Sequence, residues 1–178
     1  MNPVADLIVN FQDLVAQVPA FVQPFIIMLA ATVPFIEGEV GALIGVAGGI
    51  NPFIAAAAAM IGNFAAVVGV VAVTSRTREF ALARRNGAGS SVLTEERPEP
   101  QKPQSKGRQR FARWVVRFGV PGASILGPLA IPTQFMSAML VASGTPKGWV
   151  LLWQGVAIIF WTVLATVLAW LALVTLGV

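Results

Sequence analysis

Residues 3–18, PVADLIVNFQDLVAQV, place Val4, Leu7, Ile8, Phe11, Leu14, Val15 and Val18 at helical spacing. Asp6, Asn10, Asp13 and Gln17 fall between them, so the stretch predicts an amphipathic helix lying on an interface. Pro19 ends or bends it. From 20 to 52 the pattern changes to an apolar run broken by Pro24, Pro34 and glycines at 38, 41, 45, 48 and 49. Pro34 and the glycines divide it into two arms of about fifteen residues, roughly 22 Å each, short of a hydrocarbon core of about 30 Å. A re-entrant hairpin or broken helix is predicted over 20–51, a backbone form tolerated in lipid only where protein or a cavity surrounds it. Residues 52–74 read as an uninterrupted span. Ala55 to Ala59, Gly62 and Gly69 would let neighbouring helices approach closely, and Asn63 is its one strongly polar side chain.

Residues 75–107 read as a hydrophilic loop, with Ser, Gly, Pro, Glu and Lys abundant toward its end. Residues 108–118 predict a second interfacial helix. Phe111, Trp114, Val115 and Phe118 form its apolar face, and Arg110, Arg113 and Arg117 reach toward lipid headgroups. Residues 119–146 repeat the broken pattern, interrupted at Pro121, Pro128 and Pro132 and closed by Gly144–Pro146. A long apolar helix is predicted over 147–177; it exceeds one bilayer crossing and must tilt, bend or protrude.

Composition makes this an all-α integral membrane protein: 56% of the 178 residues are hydrophobic and 11% charged, too few charges for a soluble surface. The N-terminal stretch lacks the positive region of a secretory signal. Cys, His and Tyr are absent, which excludes disulfides, thiol chemistry and imidazole-based triads and removes the usual zinc and haem ligands. The expectation is a protein that is not an enzyme, with no catalytic residue, metal or cofactor. Eleven of the twelve Lys/Arg lie between Arg76 and Arg117. A basic loop in such a chain follows the positive-inside rule, placing 75–107 in the cytoplasm beneath a plasma (inner) membrane rather than on nucleic acid.

The two halves, 1–74 and 108–178, share one order: amphipathic helix, broken hairpin, long span. Pro34 and Pro52 are separated as Pro128 and Pro146 are, and an offset of 94 superposes both pairs, laying GGINP (48–52) over ASGTP (142–146). With one cytoplasmic loop between them, the repeats would be inverted in the membrane, with a transport site where the broken segments meet.

Glu37 and Glu39 stand in the first break. An ionisable residue in a membrane costs roughly 2.5–3.5 kcal/mol on insertion scales and is a functional candidate by default. On an ideal helix the two acids would lie about 200° apart; on a looped backbone beside Pro34 and Gly38 they can face one cavity. That suits proton coupling or capture of a cation. The alternative is a tip that reaches water, with both acids merely solvated. Thr133 and Gln134 follow Pro132 much as the acids follow Pro34. They form either an opposing polar wall or caps for freed backbone groups. Asn63 is either a substrate contact or an interhelical hydrogen bond.

PFIEGEVGALIGVAGGINP, IGN at 61–63 and RFGVPGASILGPLAIPTQFMSAMLVASG at 117–144 resemble the small multidrug export protein family and, more distantly, the DedA (VTT-domain) membrane proteins. The resemblance covers most of 20–170. It implies two opposed re-entrant hairpins and transport, with DedA proteins linked to moving polyprenyl-phosphate or other lipids. Glu39 would match the DedA hairpin acid, with a shifted match to Glu37 as the alternative. The arginine that DedA proteins carry near the second hairpin's proline is absent from IPTQF, and Arg113 and Arg117 are partial substitutes. The expected function is a small transporter, exporter or lipid translocase, proton-coupled, using Glu37, Glu39, Asn63, Thr133 and Gln134. Its partners would be membrane lipids, a small-molecule or lipid substrate, and a second copy in a homodimer. The rival is a non-transporting scaffold or accessory subunit that binds anionic lipid or other membrane proteins.

Overall fold

The computed structural model describes residues 3–88 and 119–177, and every regular element among them is helical. The interfacial helix expected over 108–118, with Arg110, Arg113 and Arg117, lies outside the described residues, as does most of the basic loop.

Helix α1 spans Pro3–Ala16 and α2 spans Gln23–Ala30. Gln23 joins them: its Nε2 donates to the carbonyls of Val15 (3.2 Å) and Val18 (3.0 Å) where the chain leaves α1. Pro24 fits the first turn of α2, where a missing N–H costs nothing. The chain then breaks at 31–36. Pro34 cannot donate and disfavours a helical Val33. Phe35 (φ 73°) and Glu37 (φ 51°) lie in the left-handed region, uncommon for residues with a Cβ.

Helix α3 runs Glu37–Ala47. It closes in a Schellman turn: Ile50 N–H bonds Gly45 O (3.0 Å), Gly49 N–H bonds Val46 O (3.0 Å), and Gly49 takes the left-handed φ of 80° the turn requires. Asn51 Oδ1 accepts from Phe53 N–H (2.9 Å) and starts α4 at Pro52. Helix α4 runs Pro52–Ala88, past the end expected at 74. Polarity changes at Ser75, but SRTREFALARR holds good helix formers and no proline, so the hydrogen-bond ladder continues.

After the undescribed segment, α5 covers residues 119–126 and tightens into a 3₁₀ turn at Gly127–Leu129. Helix α6 covers Thr133–Ala142 and ends in the same Schellman turn as α3, with Thr145 N–H on Leu140 O, Gly144 N–H on Val141 O, and Gly144 at φ 101°. Helix α7 covers Lys147–Leu176. Among the described residues the broken pair followed by a long helix occurs twice, α2–α3–α4 and α5–α6–α7, but not in a single register. The prolines superpose at 94, the turn glycines at 95 and the starts of α3 and α6 at 96, because each break and turn has its own length.

Helices α4 and α7 are antiparallel. Ala55 and Ala59 share a core cluster with Ile27, Ala42 and Val46, flanked by Ala169 and Leu173. Val67 and Val71 share another with Leu140, Val150 and Ile158. The first cluster is built on glycine and alanine: a Cβ on Gly45 would lie 2.7 Å from Ala55 Cβ, and one on Gly62 would strike the carbonyl of Met28. Small residues here let backbones meet where larger side chains would hold them apart. Consequently α3 starts near the middle of α4 and runs toward its N-terminal end, while α6 starts at the same level and runs the other way. Between the two apolar clusters lies a layer of buried polar side chains, Glu37, Asn63, Thr133, Gln134 and Thr162, and buried Ser137 and Gln154 stand among residues of the second cluster.

Candidate functional site

The two breaks abut. Phe35 and Phe135 meet edge to face, with ring centroids 6.3 Å apart. Behind them Glu37, 5% exposed, reaches the first residue of α6. Thr133 N–H donates to Glu37 Oε1 (2.7 Å), and the Thr133 hydroxyl lies 2.6 Å from the same oxygen. That N–H is one of the donors a helix start leaves unpaired, so Glu37 caps α6 from 96 residues away. When ionised, its carboxylate would also meet the positive end of the α6 dipole.

The network continues inward. Thr133 Oγ1 is 3.1 Å from Asn63 Oδ1, and Gln134 Nε2 donates to Asn63 Oδ1 (3.2 Å). Ser137 Oγ donates to the Thr133 carbonyl (2.7 Å). Thus Glu37, Asn63, Thr133 and Gln134, read separately from sequence as site residues, form one hydrogen-bonded chain linking α3, α4 and α6.

Glu39 is set apart from that chain. It and Glu37 both line a cavity of about 320 Å³, walled also by Phe35, Val40, Trp161 and the second break from Pro128 to Pro132. Both acids line it, although ideal helical azimuths would set them about 200° apart. Glu39 Oε1 is shielded from solvent and bonds to nothing among the described residues.

Helix α7 holds both breaks in place with consecutive residues. Trp161 Nε1 donates to Ile125 O (2.8 Å), a carbonyl at the end of α5. Thr162 packs directly on Gly38, where any Cβ would strike its hydroxyl. Sequence reasoning did not single out Trp161, Thr162 or Gln154. A signal was present: Gln154, Thr162 and Thr166 recur at multiples of four in an otherwise apolar helix, and all three are buried. The partners of Glu37 among the described residues are a main-chain N–H and a hydroxyl, while Arg113 and Arg117 lie outside them. No group of three or more metal-binding side chains gathers among the described residues.

Comparison with family models, characterised proteins and solved structures finds no match to this chain.

Proposed function

We propose that this chain is a small multi-pass membrane transporter whose substrate passes between two opposed re-entrant hairpins, α2–α3 and α5–α6. The observation that carries the reading is the cavity between the two breaks. It places an unpartnered, shielded Glu39 oxygen beside an acid that one half of the molecule lends to a helix of the other. A carboxylate serving only as a cap would need no cavity and no second acid.

Membrane placement is supported by the surface. Helices α4 and α7 are long and apolar enough to cross a bilayer, and only 22% of the most apolar window of α7 is buried. The core helix of a soluble protein would be mostly covered, whereas here Leu152, Ile159, Leu168 and Leu171 face outward. At about 1.5 Å per residue, α2 and α3 are each far too short to cross a core of about 30 Å. Their break sits level with Asn63, between the two apolar clusters of α4, as expected of a hairpin ending near the midplane. The breaks and Schellman turns recur in both halves, which favours an inverted repeat. The same features accord with the resemblance to small multidrug export and DedA proteins. In this reading the basic tail of α4 lies in the cytoplasm beneath an inner membrane, and the protein moves a small molecule or a lipid in exchange for protons.

The test is flux in proteoliposomes carrying a trapped pH-sensitive dye, with ethidium and an NBD-labelled phospholipid as probes. Wild-type protein is expected to move at least one probe and protons together. The Glu37→Gln/Glu39→Gln variant is expected to lose the coupled movement. Wild-type rates equal to those of protein-free vesicles for both probes, or undiminished coupled flux in the double variant, would overturn the proposal.

A further inference from the structure

The Glu37–Thr133–Asn63–Gln134 chain has more acceptors than protons at one point. Thr133 Oγ1 lies within hydrogen-bonding distance of Glu37 Oε1 (2.6 Å) and of Asn63 Oδ1 (3.1 Å), yet a hydroxyl carries one proton. Two arrangements satisfy the contacts. With Glu37 ionised, the hydroxyl donates to the carboxylate, and two bare oxygens would face each other across the Asn63 contact. A half-turn of the Asn63 amide removes that conflict by presenting Nδ2 to Thr133 Oγ1, and a matching turn of Gln134 presents Oε1 to Asn63. Asn63 Nδ2 and Gln134 Oε1 are the two atoms of this pair that are buried without a partner. With Glu37 protonated, its O–H donates to Thr133 Oγ1 and the hydroxyl donates to Asn63 Oδ1. Gln134 Nε2 then donates to the same oxygen, as the side chains stand in the structure.

We infer that Asn63 is a positioning residue that reports the proton on Glu37: binding one proton at Oε1 reverses the Thr133 hydroxyl and turns the Asn63 and Gln134 amides. The inference rests on Glu37 being a site acid and deepens that reading into its regulation. Only an O–H bond forms, with the proton drawn from water through the cavity. The α6 cap feels the change, because a protonated carboxyl oxygen accepts the Thr133 N–H less strongly than a carboxylate. Proton binding therefore loosens the seat of the second hairpin. Among the described residues the groups set against Glu37 are few. Helices α4 and α6 present Asn63, Thr133 and Gln134, α7 presents Thr162 at the adjoining Gly38, and none of these titrates. Glu39, on the same helix, is the other titratable side chain on the cavity among the described residues.

Attenuated-total-reflection infrared spectroscopy of the lipid-reconstituted protein tests this during a pH titration. The Glu37 carboxyl signal is identified by its loss in Glu37→Gln, and the Asn63 amide signal by its loss in Asn63→Leu. In wild type the two signals are expected to change with one shared midpoint. In Thr133→Val the carboxyl should still titrate while the amide no longer follows, and Thr133→Ser, which keeps the hydroxyl, should restore the link. An amide signal that stays still through the Glu37 titration of wild type, or one that follows it equally in Thr133→Val, would overturn the inference. The wild-type titration decides even where Thr133→Val does not fold. A shared midpoint in a protein without flux supports this relay and removes the transport reading. Flux without a shared midpoint does the reverse.

Discussion

The two breaks do the same topological job with different chemistry. The first, 31–36, uses one proline, strains Phe35 and Glu37 into left-handed backbone, and supplies both acids. The second, 127–132, uses two prolines and a 3₁₀ turn, sets Pro132 at an ordinary φ of −50°, and carries no charge. What the second supplies is the open end of α6. The unequal halves fit because one break contributes a carboxylate and the other contributes unpaired N–H groups. Two identical breaks would have set acid against acid or helix end against helix end.

The sharpest way to break that fit is to remove the carboxylate. Glu37→Leu should cost about 3 kcal/mol, since it strands the Thr133 N–H and hydroxyl in a dry layer. Glu37→Gln keeps an acceptor and should cost about 1 kcal/mol. Unfolding of the detergent-solubilised protein would measure both, and equal losses would mean that the cap does not hold α6. A smaller effect separates the breaks by their packing. Gly38→Ala drives a Cβ into Thr162 and should cost about 2 kcal/mol, most of it recovered when combined with Thr162→Ala. Gly127→Ala meets only the end of Met136, a flexible side chain, and should cost under about 1 kcal/mol. Comparable losses at the two glycines would erase the distinction. A small effect also concerns the latch of the second break. Trp161→Phe keeps the ring, loses the bond to Ile125 O, and should cost about 1 kcal/mol, with protease or exchange sensitivity rising at 125–132 rather than at 31–36.

Much of this architecture could be read from local signals. Pro34, Gly49 and Gly144 punctuate the chain where its turns fall, because proline and left-handed glycine act through their own backbones. The long α7 follows from thirty residues without a proline. What could not be read is what depends on distance. The partner of Glu37 is a main-chain N–H, which every residue but proline owns, so no side-chain pattern marks it. The turn into α3 depends on two left-handed residues that bear side chains, and sequence preference argues against both. The continuation of α4 to Ala88 escaped because a loss of hydrophobicity at Ser75 does not entail a loss of helicity. Even the offset of 94, correct for the prolines, concealed that helix starts and turns keep different registers.

The cap on α6 also has a consequence for biosynthesis. A chain emerges from the ribosome N-terminus first, so Glu37 is made long before the residue that satisfies it. Through the synthesis of 96 further residues the acid has neither N–H nor hydroxyl from α6. The first half is thus an incomplete object that needs hydration or assistance until the second arrives. Once Thr133 docks, both halves become committed together, and a truncated chain ending before 133 should be recognised by cellular quality control as unfinished.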